Sequence, residues 1–180
     1  MTMEHQYGSE SEEATEDSVR ELEQLSIVGV DHVAIAVSDL SAAIEWYTDN
    51  FAFRVIERRV TRGEHTAMIS AVLKAGSATL VLVQGTTPES QVSKFVQHFG
   101  CGVQHLALQV NDLDAAIQRL SETGSVIDTP IIGDEGIRQV FLRRHQGSGV
   151  RIELIERRGG DFTDQSVERL FRVFEANDLY

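Results

Sequence analysis

Apolar and polar residues follow one another in the same way in two stretches of the chain. Val30–Val37 and Val103–Val110 are runs of β-branched and aliphatic residues, which predict strands. Asp39 and Asp112 follow these runs where a helix N-cap is expected, with apolar residues at helical spacing just behind them. The copies align at an offset of 73 residues, so the chain contains an internal repeat.

Three strand-like runs, separated by glycine-containing turns, follow each predicted helix. The pattern therefore predicts two β-α-β-β-β modules, at about residues 27–85 and 101–158. Apolar residues at helical spacing in Gln165–Glu175 predict a final helix. The predicted strands behind the two helices are Phe53–Arg58, Thr66–Lys74 and Ala78–Gln84 in the first module, and Ser125–Thr129, Ile137–Arg143 and Val150–Ile155 in the second.

A small open sheet leaves an edge and an apolar face exposed, and pairing the two modules covers both. The predicted fold is therefore an α+β domain over residues 25–160. In it, two βαβββ modules form a curved, open-barrel sheet around a trough, and residues 161–180 supply a closing helix. The sequence leaves open whether the modules pair within one chain or are exchanged between two copies, so a homodimer stays an alternative.

Charge is distributed unevenly along the chain. The formal net charge is −12, and residues 1–24 carry eight Asp or Glu against Arg20 alone. We expect this segment to be an acidic, disordered tail, and the rest of the chain offers no basic stripe to nucleic acid. No apolar run is long enough to span a membrane. Cys101 is the only cysteine, which excludes an internal disulfide and fits a reducing cytoplasm.

His32 and His105 occupy equivalent places in the two repeats, so pairing of the modules would bring both into the trough. Glu153 interrupts an otherwise aliphatic strand, where an unpaired carboxylate is costly to bury. Two imidazoles and one carboxylate form a facial triad that leaves coordination positions open for chemistry, and it accepts iron, zinc, manganese or cobalt. The alternative is that the histidines do not bind a metal and are ordinary residues of the core or of the sheet's rim. Glu153 would then pair with an arginine: Arg143, Arg151 or Arg157.

The paired repeat, with a histidine in each first strand, resembles the vicinal oxygen chelate superfamily over roughly Ile27–Glu175. Within it, several stretches resemble the catalytic half of the 4-hydroxyphenylpyruvate dioxygenase family. These stretches are Gly102–Leu108 around the second histidine, Ser90–Gly100 before it, Thr66–Ser70, Gln139–Phe141, and Ile152–Gly159 around the glutamate. Leu170–Phe171 with Glu175 resembles the family's helix that closes over the active site.

The resemblance implies that His32, His105 and Glu153 bind Fe(II). A 2-oxo acid would chelate the iron through its carboxylate and keto oxygens, and O2 would take the remaining position. The same resemblance implies further residues at the substrate: Ser70, Gln104 and Gln139 as polar catalytic contacts, Phe141 packing on the substrate, and Phe171 on the closing helix.

Two positions depart from the dioxygenase pattern. Arg151 stands where that family has an aromatic residue, and Val167 stands where its closing helix offers a phenylalanine. If both line the substrate pocket, the pocket prefers a more polar or aliphatic acid than the family's aromatic one. Arg151 could instead pair with a nearby acidic residue and have no bearing on the substrate.

Two other functions are alternatives to the dioxygenase. Val30–Leu40 and the compact length also resemble methylmalonyl-CoA epimerase, whose fourth strand often carries an acidic or amide residue. Here that strand has Val81, which can neither bind a metal nor transfer a proton. The same substitution disfavours glyoxalase I, and it favours oxygen chemistry. The second alternative is a non-catalytic small-molecule binder, as in resistance to bleomycin-type antibiotics.

Overall fold

The computed structural model describes residues 25–180, so the predicted acidic tail at residues 1–24 lies outside the described residues. Strands and helices alternate in two similar series, followed by a last helix. In chain order the elements are β1 (Ile27–Ala36), α1 (Leu40–Phe51), β2 (Arg54–Arg62), β3 (Ala67–Ala75), β4 (Ala78–Gly85), α2 (Gln91–Phe99), β5 (Gly102–Val110), α3 (Leu113–Glu122), β6 (Ile132–Gly133), β7 (Ile137–Phe141), β8 (Arg151–Arg157) and α4 (Asp164–Ala176).

The strands of residues 25–180 form one eight-stranded sheet in the order β2-β3-β4-β1-β5-β8-β7-β6. β1 and β5, the first strands of the two modules, pair antiparallel at its centre. Each also pairs in parallel with the last strand of its own module, β1 with β4 and β5 with β8. The sheet curls into a half-barrel, which confirms the predicted α+β fold. The modules pair within a single chain.

Helices α1 and α3 cover the convex face of the sheet, one on each module. Each begins where predicted: Asp39 accepts a hydrogen bond from the Ala42 N–H at 3.0 Å, and Asp112 accepts one from the Ala115 N–H at 2.9 Å. These caps satisfy N–H groups that have no partner within the helix. Behind the caps, apolar residues pack on the sheet: Leu40 and Ile44 with Ala71, Leu73 and Leu82, and Leu113 and Ala116 with Val110, Val140 and Leu154.

One predicted strand of the second module is wrong. Ser125–Thr129 forms only an isolated bridge, between Ile127 and Leu142. The ladder stops there because the Phe141 N–H donates to the Thr129 hydroxyl at 3.0 Å instead of to a backbone carbonyl. Pro130, which follows, has no N–H to offer. The third strand is instead the two-residue β6, at a place where a turn was predicted.

Helix α4 crosses the open side of the half-barrel and buries Phe171 and Phe174. Its last turn is fastened to the β2–β3 turn, because the Glu175 carboxylate accepts the backbone N–H groups of Glu64 and Thr66 at 2.6 and 2.7 Å. The trough is therefore closed on this side. None of the helices within residues 25–180 has the length and apolar character needed to span a membrane.

The two caps generate a prediction about stability. Asp39→Ala and Asp112→Ala should each lower the free energy of unfolding by about 1 kcal/mol, because each leaves a helix N–H without its side-chain acceptor. Urea denaturation measures the change. Glu45→Gln is the control, since it changes an exposed acidic residue within α1 and touches no cap. Cap variants that unfold at the same urea concentration as this control would contradict the assignment.

Candidate metal centre

The side chains of His32, His105 and Glu153 converge in the trough. His32 Nε2 lies 3.2 Å from His105 Nε2 and 3.5 Å from Glu153 Oε2, and the last two atoms are 3.1 Å apart. Donor atoms about 2.1 Å from one metal ion and at right angles to one another lie about 3 Å apart. The spacing therefore fits three adjacent positions around a single ion.

The register of three neighbouring strands brings these residues together. His32 on β1 is the cross-strand partner of Ala107 on β5, and Ala107 is in turn the partner of Glu153 on β8. His105 lies two residues before Ala107 and so points to the same face. Ala107 is fully buried, and its small side chain leaves room above it for the three longer ones.

Hydrogen bonds to the far side of each imidazole orient the histidines. Nδ1 of His32 donates to Asp31 Oδ1 at 2.8 Å, and Nδ1 of His105 donates to the side-chain oxygen of Gln104. Each Nε2 then presents its lone pair to the shared centre. Arg157 holds Asp31 with two hydrogen bonds. Burial tends to raise the pKa of Asp31, but the hydrogen bonds from Arg157 and His32 outweigh it and hold that pKa well below its usual range.

Burial acts against charge at the centre itself. It raises the pKa of Glu153 to about 7, against a smaller lowering caused by His32. It lowers the pKa of His105 to about 3, and the positive charges of Arg151 and Arg144 add to this effect. A neutral imidazole is the form that binds a metal. The Glu153 carboxylate, in contrast, needs a cation beside it to be stable in its charged form.

The residues present fit a divalent ion. Oε1 of Glu153 is buried and has no hydrogen-bond partner among residues 25–180, which is costly unless another group satisfies it. Two imidazoles and one carboxylate bind Fe, Zn, Mn or Co. Val81 lines the adjoining cavity wall and offers no donor atom. The donor set is therefore open rather than closed, which is the arrangement of catalytic sites rather than structural ones.

An inner cavity of about 110 Å³ adjoins the three ligands, and mainly apolar side chains line it. Ser70, Gln139 and Val167, all predicted site residues, lie in its wall. Gln139 is fully buried, and neither atom of its amide has a partner among the described residues. Because a buried amide without partners is unfavourable, this side chain offers a donor and an acceptor to a bound molecule.

Three further predicted residues lie on the His105 side of the site, outside the inner cavity. Gln104, Phe141 and Phe171 line a smaller chamber of about 60 Å³ beside His105. The Phe141 ring contacts the His105 imidazole edge-on, at 5.2 Å between centroids. Arg151 lines neither chamber.

The Arg151 guanidinium instead pairs with Asp128 at 3.0 Å and lies 5.7 Å from the centre of the Phe174 ring. This is the pairing alternative considered from the sequence.

Sequence reasoning missed several residues of the site. Asp31 was not singled out, although its position directly before His32 is a usable signal, since a ligating histidine commonly donates its other N–H to a carboxylate. Glu57 and Arg59 on β2, and Phe162 before α4, also line the inner cavity. No local pattern marks these three, because only the closure of the half-barrel brings them to the site.

The chain belongs to the glyoxalase/bleomycin resistance protein/dioxygenase superfamily, whose family profile matches residues 29–154. This confirms the resemblance to the vicinal oxygen chelate superfamily, which is metal-dependent and includes dioxygenases and epimerases.

Relatives of the chain within the superfamily include methylmalonyl-CoA epimerases. Mitochondrial methylmalonyl-CoA epimerase of Mus musculus is 30% identical over 128 residues, covering 69% of this chain and 71% of that protein. The crystal structure of methylmalonyl-CoA epimerase from Mycobacterium tuberculosis is similar, with a TM-score of 0.62 and 32% identity over 73% of this chain and 89% of that one. A mutant 4-hydroxymandelate synthase from Streptomyces coelicolor has a TM-score of 0.72 over 83% of this chain and 54% of that one. Its identity is 22%, so it shows likeness of fold alone.

The hydrogen bond from His32 to Asp31 generates a prediction about metal affinity. Asp31→Ala should weaken the binding of Zn(II) or Co(II) about ten- to a hundredfold, because the imidazole loses the acceptor that orients it. Competition with a chromophoric chelator measures the affinity. Asp161→Ala is the matched control, since Asp161 also pairs with Arg157 but is fully exposed and has no contact with His32. Equal affinities of the two variants would refute this role of Asp31.

Proposed function

We propose that the protein is a mononuclear Fe(II) dioxygenase that acts on a small 2-oxo acid with O2. The observation that carries the proposal is the number of protein donors. His32, His105 and Glu153 converge, while Val81, on the strand next to β1, contributes none. Three protein donors around a six-coordinate ion leave room for both a bidentate acid and O2, whereas a fourth donor would remove one of these positions.

When bound, Fe(II) would be chelated by the acid and would supply electrons to O2. The protein's own groups perform the other tasks. Asp31 and Gln104 hold the imidazoles in their ligating orientation, and the Glu153 carboxylate offsets part of the metal's charge. Gln139 has free hydrogen-bonding capacity at the cavity, which suits a carboxylate or keto group of the substrate.

The walls of the inner cavity favour a small substrate and exclude water. Val72, Val81 and Val83 on the sheet face Val167 and Leu170 on helix α4 across it. Such apolar walls keep bulk water from the reacting atoms and strengthen the electrostatic interactions within. A cavity of about 110 Å³ suits a compact chelating group rather than a large ring system.

The proposal predicts a chelate and oxygen consumption. Under anaerobic conditions, Fe(II)-loaded protein should develop a visible charge-transfer band with some members of a panel of 2-oxo acids, and O2 should then be consumed. Glu153→Ala should lower both signals at least about a hundredfold, because a facial ligand is lost. Glu135→Gln, which changes an exposed glutamate between β6 and β7, is the control. No band and no O2 uptake with any acid of the panel would refute the proposal.

Metal-dependent epimerisation of an acyl-CoA is the second candidate. Epimerase relatives at 30% and 32% identity support it, and Glu57 lines the inner cavity together with Glu153, which suggests two carboxylates near one substrate carbon. An epimerase would exchange the α-proton of methylmalonyl-CoA with deuterium in the presence of Co(II), Zn(II) or Mn(II), without O2. Such exchange, with no chelate band from 2-oxo acids, would replace the dioxygenase proposal. Unchanged ligand affinity in Glu153→Ala, with no turnover of either kind, would instead indicate a binding protein.

The identity of residue 81 provides a further prediction. Val81→Gln should tighten Zn(II) binding by about tenfold while weakening the binding of 2-oxo acids, because an amide oxygen would occupy one of the open positions. Val72→Gln is the matched control. Val72 pairs with Val81 across β3 and β4 and lines the same cavity, but it lies one strand farther from His32. If both variants bound Zn(II) and 2-oxo acids equally well, the open coordination positions would not lie beside residue 81.

A further inference from the structure

The trough continues beyond the metal centre into an outer chamber of about 450 Å³. This chamber shares part of its wall with the inner cavity, so the two are neighbours along one surface. Both are lined by His32, Glu57 and Phe162, and the outer chamber is also lined by Lys74, Arg157 and Asp161.

The Phe162 side chain stands between the two chambers. Its ring meets the His32 imidazole edge-on, at 5.8 Å between centroids, and lies 5.3 Å from the Arg157 guanidinium carbon. Its backbone follows Gly159 and Gly160, and Gly159 has a φ of +91°. A molecule bound at the metal centre and longer than the inner cavity would pass this ring and enter the outer chamber.

Lys74 differs from the other charged groups of the outer chamber in having no opposite charge beside it. Arg157 is paired with Asp31 and Asp161, and Glu57 is paired with Arg59. Within residues 25–180, the Lys74 ammonium forms no ion pair. A bound anion would therefore find one cation free to pair with it.

The sheet places Lys74 at a useful distance from the metal ligands. It lies two residues after Val72 on β3, on the same face, and it pairs with Thr79 on β4. Thr79 is level with His32 on β1, since the next residues, Leu80 and Val33, are partners. Two strand spacings separate the Cα atoms of His32 and Lys74, which is about 10 Å.

We propose that the outer chamber is a second substrate subsite, in which Lys74 binds the distal carboxylate of a dicarboxylic 2-oxo acid. The chelating end would lie at His32, His105 and Glu153, and the chain would run past Phe162. This inference rests on the proposed function and narrows its substrate class.

Matched acids of equal chain length test the subsite. 2-Oxoadipate and 2-oxohexanoate share six carbons and differ only in the distal carboxylate. Their affinities are measured from the chelate band of the anaerobic Fe(II) protein, and by calorimetry with the Zn(II) protein, which needs no turnover. We expect the dicarboxylate to bind at least about fivefold more tightly, as one partly exposed ion pair provides. The advantage should shrink as salt is added.

Variants of Lys74 test whether this residue causes the preference for the dicarboxylate. Lys74→Ala should abolish the preference for the dicarboxylate and leave 2-oxohexanoate binding unchanged, and Lys74→Arg should retain it. Lys94→Ala, which removes a lysine that pairs with Asp178 and lines neither chamber, is the control and should retain the preference too. Because Lys74 is exposed, folding is not at risk in these variants.

The possible failures are distinguishable. Equal affinities of the two acids in the unaltered protein, or a preference that survives Lys74→Ala, would overturn the second subsite and leave the dioxygenase proposal standing. No chelate band with either acid or with any other 2-oxo acid would overturn both.

Discussion

The antiparallel pairing of β1 with β5 is the constraint on which the rest of the structure depends. It joins the two modules into one sheet, and its register sets His32 beside Ala107. Side chains alternate between the two faces of a strand, so a slip of one residue would send a histidine to the convex face. The fold and the site are therefore specified by the same register. The pairing of β5 with β8 adds Glu153 to it.

The metal centre is an arrangement of charges that is unfavourable until a cation is present. Glu153 is buried, and one of its carboxylate oxygens has no hydrogen-bond partner among residues 25–180. Burial also lowers the pKa of His105, so this imidazole stays neutral. Asp31 carries the nearest stable negative charge, and Arg157 compensates it from outside. A divalent ion would supply the missing positive charge between the ligands. These buried, unpartnered groups lower the stability of the metal-free protein, but they leave the site preorganised for metal binding.

The features that could be predicted from the sequence are those marked by a local or repeated pattern of residues. The repeat predicted the fold, the helix caps at Asp39 and Asp112, and the meeting of His32 with His105, because equivalent positions in paired modules face one trough. Glu153 was predicted separately, because a carboxylate interrupts an aliphatic strand. The absence of a full strand at Ser125–Thr129 could not be predicted, since it depends on the Phe141 N–H donating to a side-chain hydroxyl instead of a backbone carbonyl. The partner of Arg151 and the cavity residues of β2 likewise arise only from long-range closure.

The surroundings of Glu57 bear on the choice between oxygen chemistry and epimerisation. A general base must be free to take up and release a proton near the substrate. Glu57 instead forms an ion pair with Arg59. Arg59 also binds Asp164 at 2.8 Å and the Phe162 carbonyl at 3.1 Å, so it fastens the start of α4 to β2.

Protonation of Glu57 would remove one of the two carboxylate charges that pair with Arg59, and it would weaken the attachment of α4 to β2. As a metal ligand, Glu153 would be engaged in the same way. With both carboxylates engaged and Val81 unable to act, the groups near the substrate are suited to hold it against a metal with open positions rather than to exchange its protons. This favours the dioxygenase over the epimerase even though methylmalonyl-CoA epimerases are among the relatives of the chain.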